Sequence, residues 1–575
     1  MIARLPSWQK IKSAVVSSKV STFKKFRNLI SFFILSFFFF PLFISSAFAN
    51  ALSITNVELV DNVAASDTSD VEFDITWDNS WRDTENYDAV WVFVKYCVTS
   101  CTATDGTAVW KHATLKTAGT NPSNVSRGSG TLLDVVVSAD KKGAFIQRTG
   151  NGTGTVTTTD INLMWDYGQD GVSDANAIVS TTRIKVFGIE MVYVPTGAFY
   201  FGDIGDGTAG GTPFNIEFGL TASNLPGLVG GEEQMNFGVA ANLWVYNNSS
   251  ANDAADAALL VIPPAFPKGY QAFYMMKYEL TEQQYIDYFN TLTANGQTNR
   301  DITNNTLGGK PNDAVLSRNT ISWTAGGLAT TTRGERAMSY LSWLDVCSFL
   351  DWAALRPMTE MEFEKAARGP LYPVTLEFAW GTTTVSGCVA AGHSGAGTGA
   401  ETCTAGACAG AGTCYVTAAN ITFTNGTAGT DDQVGPTRVG IYASSSTTRQ
   451  ATGASYWGIL DLSGNLSEMV VNLGGISGGQ FTSRQYAGTH GDGNLVGISS
   501  ATYDSNATNQ DWPGLSTTVT QGVTTAKGTG TKGGSWTIAT ASPSTLRVGN
   551  RTAVSSEPAT RANTQGGRGV RTASA

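Results

Sequence analysis

Apolar and polar positions alternate through the first part of the chain. Val57-Glu58-Leu59-Val60 and Val71-Glu72-Phe73-Asp74-Ile75-Thr76-Trp77 place apolar side chains on one face of an extended backbone. Ala89-Val90-Trp91-Val92-Phe93-Val94-Lys95-Tyr96 does the same with less polarity. Further runs at Leu132 to Val137 and Arg183 to Phe187 are separated by turn-rich stretches such as Gly150-Asn151-Gly152-Thr153-Gly154. Strands broken at intervals by Gly, Asn and Asp predict an all-β sandwich over residues 50–187.

Beyond residue 187 the period changes. Thr281-Glu282-Gln283-Gln284 has the form of a capping box, and Tyr285, Tyr288, Phe289 and Leu292 follow at helical spacing. Ser342 to Leu355 carries Val346, Cys347, Leu350, Ala353 and Ala354 on one stripe. Thr359-Glu360-Met361-Glu362 opens a third helix, which Gly369-Pro370 stops. After residue 380 the chain is Gly-rich, dotted with Trp, and reads as loop and short strand. The expected fold class is α+β, with an N-terminal all-β sandwich followed by an irregular domain over residues 188–575.

The opening fifty residues follow a different logic. Arg4, Lys10, Lys12, Lys19, Lys24, Lys25 and Arg27 precede an apolar run from Leu29 to Ile44, then Ser45-Ser46-Ala47-Phe48-Ala49. That order is a secretory signal peptide over residues 1–49, with cleavage before Asn50. The rival is an uncleaved anchor, but the run is short for a span and Pro41 interrupts it. The protein is therefore expected to be secreted or on the cell surface, meeting a membrane only through this segment if it stays uncut. What remains is long enough for two or three domains. Charged residues are 14% of the chain and the net charge is −9, with no basic stripe, so nucleic acid is excluded as a partner.

Seven cysteines change the picture locally. Cys97 and Cys101 form a close pair, while Cys388, Cys403, Cys408 and Cys414 crowd a Gly/Ala-rich insertion at 383–418. In an exported chain these suit disulfides, whose pairing within the cluster of four stays open. A four-thiolate zinc site is the alternative, though no C-x2-C knuckle is present. Cys347 lies inside a helical pattern and reads as a buried apolar residue. Asp166, Asp170, Asp174 and Asn176 surround a turn that offers hard oxygens to calcium; a hydrogen-bonded Asp/Asn turn is the plainer reading.

Catalytic patterns are weak. Gly475-Ile476-Ser477-Gly478-Gly479 fits G-x-S-x-G, but glycines flank the serine where a nucleophile elbow needs strand and helix. Gly528-Thr529-Gly530-Thr531-Lys532-Gly533 fits G-x-G-x-x-G, but a strand-like segment follows instead of a helix. The three histidines, His112, His393 and His490, show no metal-binding spacing.

A set of segments in fixed order carries a stronger signal. These are Ile189-Glu190-Met191-Val192-Tyr193-Val194-Pro195-Thr196-Gly197-Ala198-Phe199, Phe273 to Thr281, Arg356-Pro357-Met358-Thr359-Glu360-Met361-Glu362-Phe363-Glu364-Lys365-Ala366-Ala367-Arg368-Gly369 and Ala379-Trp380-Gly381. Tyr456 to Glu468, Lys532-Gly533-Gly534-Ser535-Trp536 and Gly566-Gly567-Arg568-Gly569-Val570-Arg571 complete it. Together they resemble the formylglycine-generating enzyme family, the sulfatase-modifying-factor domain. The resemblance implies an irregular C-type-lectin-like α+β fold for residues 188–575.

What the resemblance implies for chemistry is mixed. Formylglycine-generating enzymes use two cysteines after the Gly-Gly-Ser-Trp segment, and copper; the matching positions here are Ile538 and Pro543. An isoleucine cannot supply a thiolate, so neither that oxidation nor a bound copper is expected. A second branch uses histidine-ligated iron, which the three scattered histidines do not support. No catalytic residue is assigned. The family also binds calcium at two places. One corresponds to Asp461, Gly464, Leu466 and Glu468, the other, across a gap, to Asn420, Ile421, Asp432 and Val434. The alternative at each is a loop held by hydrogen bonds alone.

Some members have become ligand-binding scaffolds, including variable proteins diversified by retroelements near the C-terminus. Here Gly533, Gly534, Ser535, Trp536, Leu546, Arg547, Val548, Arg551, Arg568, Gly569, Val570 and Arg571 read as a frame. Between them lie Thr537, Ile538, Thr540, Ser542, Ser544, Thr552, Ala553, Ser555, Ser556, Ala559, Thr560, Ala562, Asn563 and Thr564, small residues suited to a changeable binding face. The expectation is an exported binder of a protein or glycan, on a calcium-braced lectin-like scaffold. The alternatives are a divergent metal-dependent modifying enzyme, a structural component of a surface assembly and, for the segment itself, an ordinary Ser/Thr-rich surface.

Overall fold

The computed structural model describes residues 51–178, 183–203, 216–218, 224–237, 244–246, 260–384, 393–394, 401–403, 435–443, 448–473, 484–497, 500–538 and 544–573. Outside the described residues lie the leader at 1–49, the G-x-S-x-G string at 475–479, Cys388, Cys408 and Cys414 of the insertion, the second calcium set (Asn420, Ile421, Asp432, Val434), and Thr540, Ser542 and Pro543. Among the described residues no helix is long and apolar enough to cross a membrane.

The alternating segments form strands where the pattern places them. Ser53–Val63, Thr68–Arg82, Gly152–Asp166 and Val125–Gly130 make a four-stranded sheet in the order first, second, Gly152–Asp166, Val125–Gly130. Asp88–Cys97, Leu133–Val137 and Ala144–Arg148 belong to a second, nine-stranded sheet. The inward faces of the two sheets share one core: Phe73, Ile75, Trp77, Val156, Ile161 and Leu163 of the first meet Val90, Val92, Val135 and Ile146 of the second. Cys97 and Cys101 are disulfide-bonded, and Cys347 is a buried free thiol.

The nine-stranded sheet does not stop at residue 187. Arg183–Val194 is one continuous strand. Over Arg183–Val192 it pairs antiparallel with Asp88–Cys97, and over Met191–Val194 it pairs with Phe273–Met276. Gly569–Thr572 is then inserted between Phe273–Met276 and Arg356–Pro357. The boundary expected at 187/188 thus falls inside a strand that both halves use. The physical reason is that Gly188, at the expected boundary, does not turn the chain but stays in the ladder opposite Val92.

Three helices pack on this sheet. Glu282–Phe289, Trp343–Trp352 and Glu360–Arg368 each begin with a capping box, at Thr281/Gln284, Ser342/Asp345 and Thr359/Glu362. Each box satisfies amide donors that the first helical turn leaves free. Trp91, Phe93, Met276, Tyr288, Trp343, Phe349 and Trp352 fill the space between helices and sheet. A small sheet of Thr529–Lys532, Ser467–Val471 and Gln565–Gly566 closes the C-terminal side. The middle four residues of the G-x-G-x-x-G string form the first of these strands, so their backbone is engaged in a ladder rather than opening a phosphate-binding helix.

Candidate functional site

The site begins with a pair of glycines. Gly533 and Gly534 both adopt left-handed backbone, at φ +85° and +66°. A Cβ on Gly533 would meet the Leu462 carbonyl at 2.8 Å, and one on Gly534 would meet Leu546 at 2.7 Å. This turn delivers Trp536, whose backbone N–H donates to the Asn465 carbonyl and whose Nε1–H donates to that of Asn563, at 2.8 and 2.9 Å. One indole therefore ties the start of the C-terminal segment both to its end and to the Asp461–Glu468 loop.

Four buried arginines then pin the segment down. Arg551 donates to both Glu360 oxygens, through Nε and, at 2.7 Å, Nη2. Arg561 grips Asp345 through Nε and Nη2, both at 2.8 Å, and reaches the Asp301 and Asn299 carbonyls. Arg568 binds Glu468 through Nε at 2.8 Å and Nη2 at 2.7 Å. Arg571 binds Asp140 of the N-terminal half and caps the Trp91 ring at 4.1 Å. The first three are buried two-pronged pairs, which fix geometry as well as charge, whereas Arg571 meets a partly exposed Asp140 through Nη2 alone. Arg561, the grip on the middle of the segment, stands in neither the frame nor the variable set read from the sequence.

Between the arginines the small residues divide. Thr537, Thr552, Ser556, Ala559 and Thr560 are exposed, while Ile538, Ser544, Ala553, Ser555, Ala562, Asn563 and Thr564 are half-buried. Several of the second group are occupied structurally: the Ala562 carbonyl accepts from Tyr340, that of Thr564 accepts from Ser467, and the Asn563 side chain donates to Ser317 at 2.8 Å. Ile538, where the resemblance places a redox cysteine, packs against the Phe378, Trp380 and Leu546 cluster.

Beneath this surface lies the Asp461–Glu468 loop, with Asp461, Gly464 and Asn465 all in left-handed backbone at φ 63°, 105° and 56°. Asp461 accepts from the Gly440 amide at 2.6 Å. Glu279, which the sequence reading missed, joins the loop by accepting from the Leu466 amide at 2.9 Å and from the Asn465 side chain. Its signal is only long-range, since Asn465 is 186 residues away in the chain. Glu279, Asp461 and Glu468 are all buried, and Arg568 acts on all three. Burial, reinforced by Glu468, pushes Asp461 up to about 6; burial, with Asp461 and Glu468 beside it, pushes Glu279 well above the carboxylate range.

In charge the loop fits a cation, because its carboxylates outnumber the guanidinium that pairs with them. In donor type it also fits: carboxylate oxygens that accept from Arg568 keep further lone pairs, and main-chain carbonyls at Gly464 and Leu466 lie on the same turn. Among the described residues no three Asp, Glu, His or Cys side chains converge into a metal cage of their own, so carbonyls would have to complete the ligand set.

The other acidic turn is held by protein donors. Asp170 accepts from the Thr114 amide and Trp165 Nε1–H at 2.9 and 2.7 Å, Asp166 pairs with Lys116 at 3.0 Å, and Asp174 accepts from Tyr167 at 2.8 Å.

A sheet-rich α+β domain with a glycine-turned tryptophan and an Asn-x-x-Glu loop is the architecture of a sulfatase-modifying-factor domain. The family model described as the sulfatase-modifying factor enzyme 1-like domain matches residues 228–573, and the chain belongs to that family. No individual curated protein matches the chain. The family match begins after Ile189–Phe199, so that first segment of the resemblance lies outside it.

Proposed function

We propose that this member of the family is an exported ligand-binding protein rather than a generator of formylglycine. Its C-terminal segment presents the contact face and its N-terminal β-sandwich acts as spacer or docking module. One observation carries the reading: Ile538 fills, with apolar packing, a position that the oxidation chemistry requires as a free thiol. The nearby exposed side chains are short, so they can change without disturbing the arginine-pinned frame below them. Such a face suits a protein or glycan, and retroelement-driven diversification would act on those exposed positions. In this reading calcium is held by Asp461, Glu468 and the carbonyls of Gly464 and Leu466, neutralising the excess carboxylate charge.

The test is to incubate the protein with a Cys-containing sulfatase peptide and copper and to look for aldehyde by mass spectrometry. No product above the enzyme-free control is expected; product above that control overturns the reading. Sequences of the gene from sibling strains should differ at Thr537, Thr552, Ser556, Ala559 and Thr560 more than at the frame positions.

A further inference from the structure

A separate cavity of about 340 Å³ lies where Ser53–Val63, the shared strand Arg183–Val194 and the helix Glu282–Phe289 meet. Its volume is in the range that holds fragment-sized ligands. The lining includes Phe93, Phe187 and Trp352; the Trp352 ring meets Phe93 and Phe187 edge to face, at centroid distances of 5.1 and 4.8 Å. The same lining carries three carboxylates, Glu190, Asp287 and Glu335.

Of the three, Glu335 carries the oxygen that no donor among the described residues reaches. Glu190 is ion-paired with Lys277 at 3.3 Å, an ammonium it shares with Asp88. Asp287 accepts from Gln283 at 2.8 Å and makes no ion pair among the described residues; Lys185, whose charge reaches it, is drawn over the Trp110 ring at 4.5 Å. Glu335 is only 6% exposed, and its Oε1 has no hydrogen-bond partner among the described residues. Its own backbone amide and, at range, Arg336 and Arg333 act on the carboxylate, but none of them donates to Oε1. A buried carboxylate oxygen without a donor is costly, and a fold that keeps one beside an aromatic cavity leaves a role for a ligand's donor.

We propose that this cavity binds a small primary ammonium carried on an aromatic body. The ammonium donates to Glu335 and lies toward Asp287 and Glu190, and the body rests on Phe187 and Trp352. A carboxylate ligand of the same shape meets like charge and is rejected. The site is independent of the C-terminal face and of the function proposed for it.

Calorimetric titration of the full chain with tryptamine, tryptophol and indole-3-acetate tests this. Tryptamine should bind at one saturable site, at least about tenfold more tightly than the uncharged alcohol, with no binding of the acid. Glu335→Gln, equal in shape, should weaken tryptamine by about tenfold with an unchanged melting temperature. Absence of tryptamine binding, equal binding of all three, or wild-type affinity in the variant each overturns the proposal. Should that variant fail to fold, Asp287→Asn on the half-buried rim replaces it, and wild-type affinity there is equally fatal.

Discussion

At the scale of single residues, Asp461 gives the sharpest handle on the loop. Its folded-state carboxyl titrates at about 6 against an ordinary 3.8, so the folded state holds the proton more tightly than the unfolded one. Stability from this group is therefore lost as pH rises from about 4 to about 6. Asn tolerates the left-handed backbone at this position and still accepts from Gly440. In chelator, Asp461→Asn should melt with wild type near pH 4 and above it at pH 7; parallel melting curves across that range would refute the charge argument. Calcium at pH 7 should then raise the wild type and leave the variant largely unmoved. Arg561 offers a second handle. Replacing it by Met leaves Asp345 in the core with only Arg300 and Ser342 as partners and should destabilise by about 2–3 kcal/mol, read by denaturant unfolding. The Asp461–Glu468 loop was legible because its residues are consecutive. Glu279 and the Arg561–Asp345 pair were not, because nothing local marks residues that meet only through tertiary packing.

At the scale of elements, the C-terminal segment separates frame from face. Thr552→Ala combined with Ser556→Ala removes two exposed hydroxyls and should cost within about 0.5 kcal/mol each, whereas Trp536→Ala should cost about 3–5 kcal/mol. Thermal melts of the three proteins decide it; a large loss in the double variant would mean that these hydroxyls belong to the frame. The helices show how far local reading reaches. The capping boxes at Thr281 and Thr359 follow the sequence pattern and are present in the structure. The box at Ser342 uses Asp345 at the third position, where the usual pattern has Glu or Gln, so only the apolar stripe announced that helix. The small residues of the segment read as one changeable set, yet Ala562, Asn563 and Thr564 have their main-chain carbonyls engaged, and a carbonyl carries no sequence signal.

At the scale of the whole molecule, the strand Arg183–Val194 makes the two halves one sheet. A chain beginning at residue 188 would cut the strand, bare its edge and remove Trp91 and Phe93 from the main core. Such a chain should lose cooperative unfolding in calorimetry, and a sharp native-like transition from it would show that the halves are separable after all. The strands and the sheet-rich character were legible from alternation; the continuity between halves was not, because pairing partners lie outside any local window.

The placement of Gly569–Thr572 has a consequence for how the molecule comes into being. This strand sits inside the main sheet, between strands at 273–276 and 356–357, and its Arg571 closes on Asp140, 431 residues earlier. Contacts so distant along the chain must overcome a large loop-closure entropy before they contribute anything. During synthesis the N-terminal strands emerge long before the segment that completes their sheet, and until it arrives the edge of Phe273–Met276 is open to pairing with other chains. The final act of folding is thus assigned to the stretch that directly follows the proposed contact face, so a C-terminus diversified as proposed would have to preserve its own power to finish the fold.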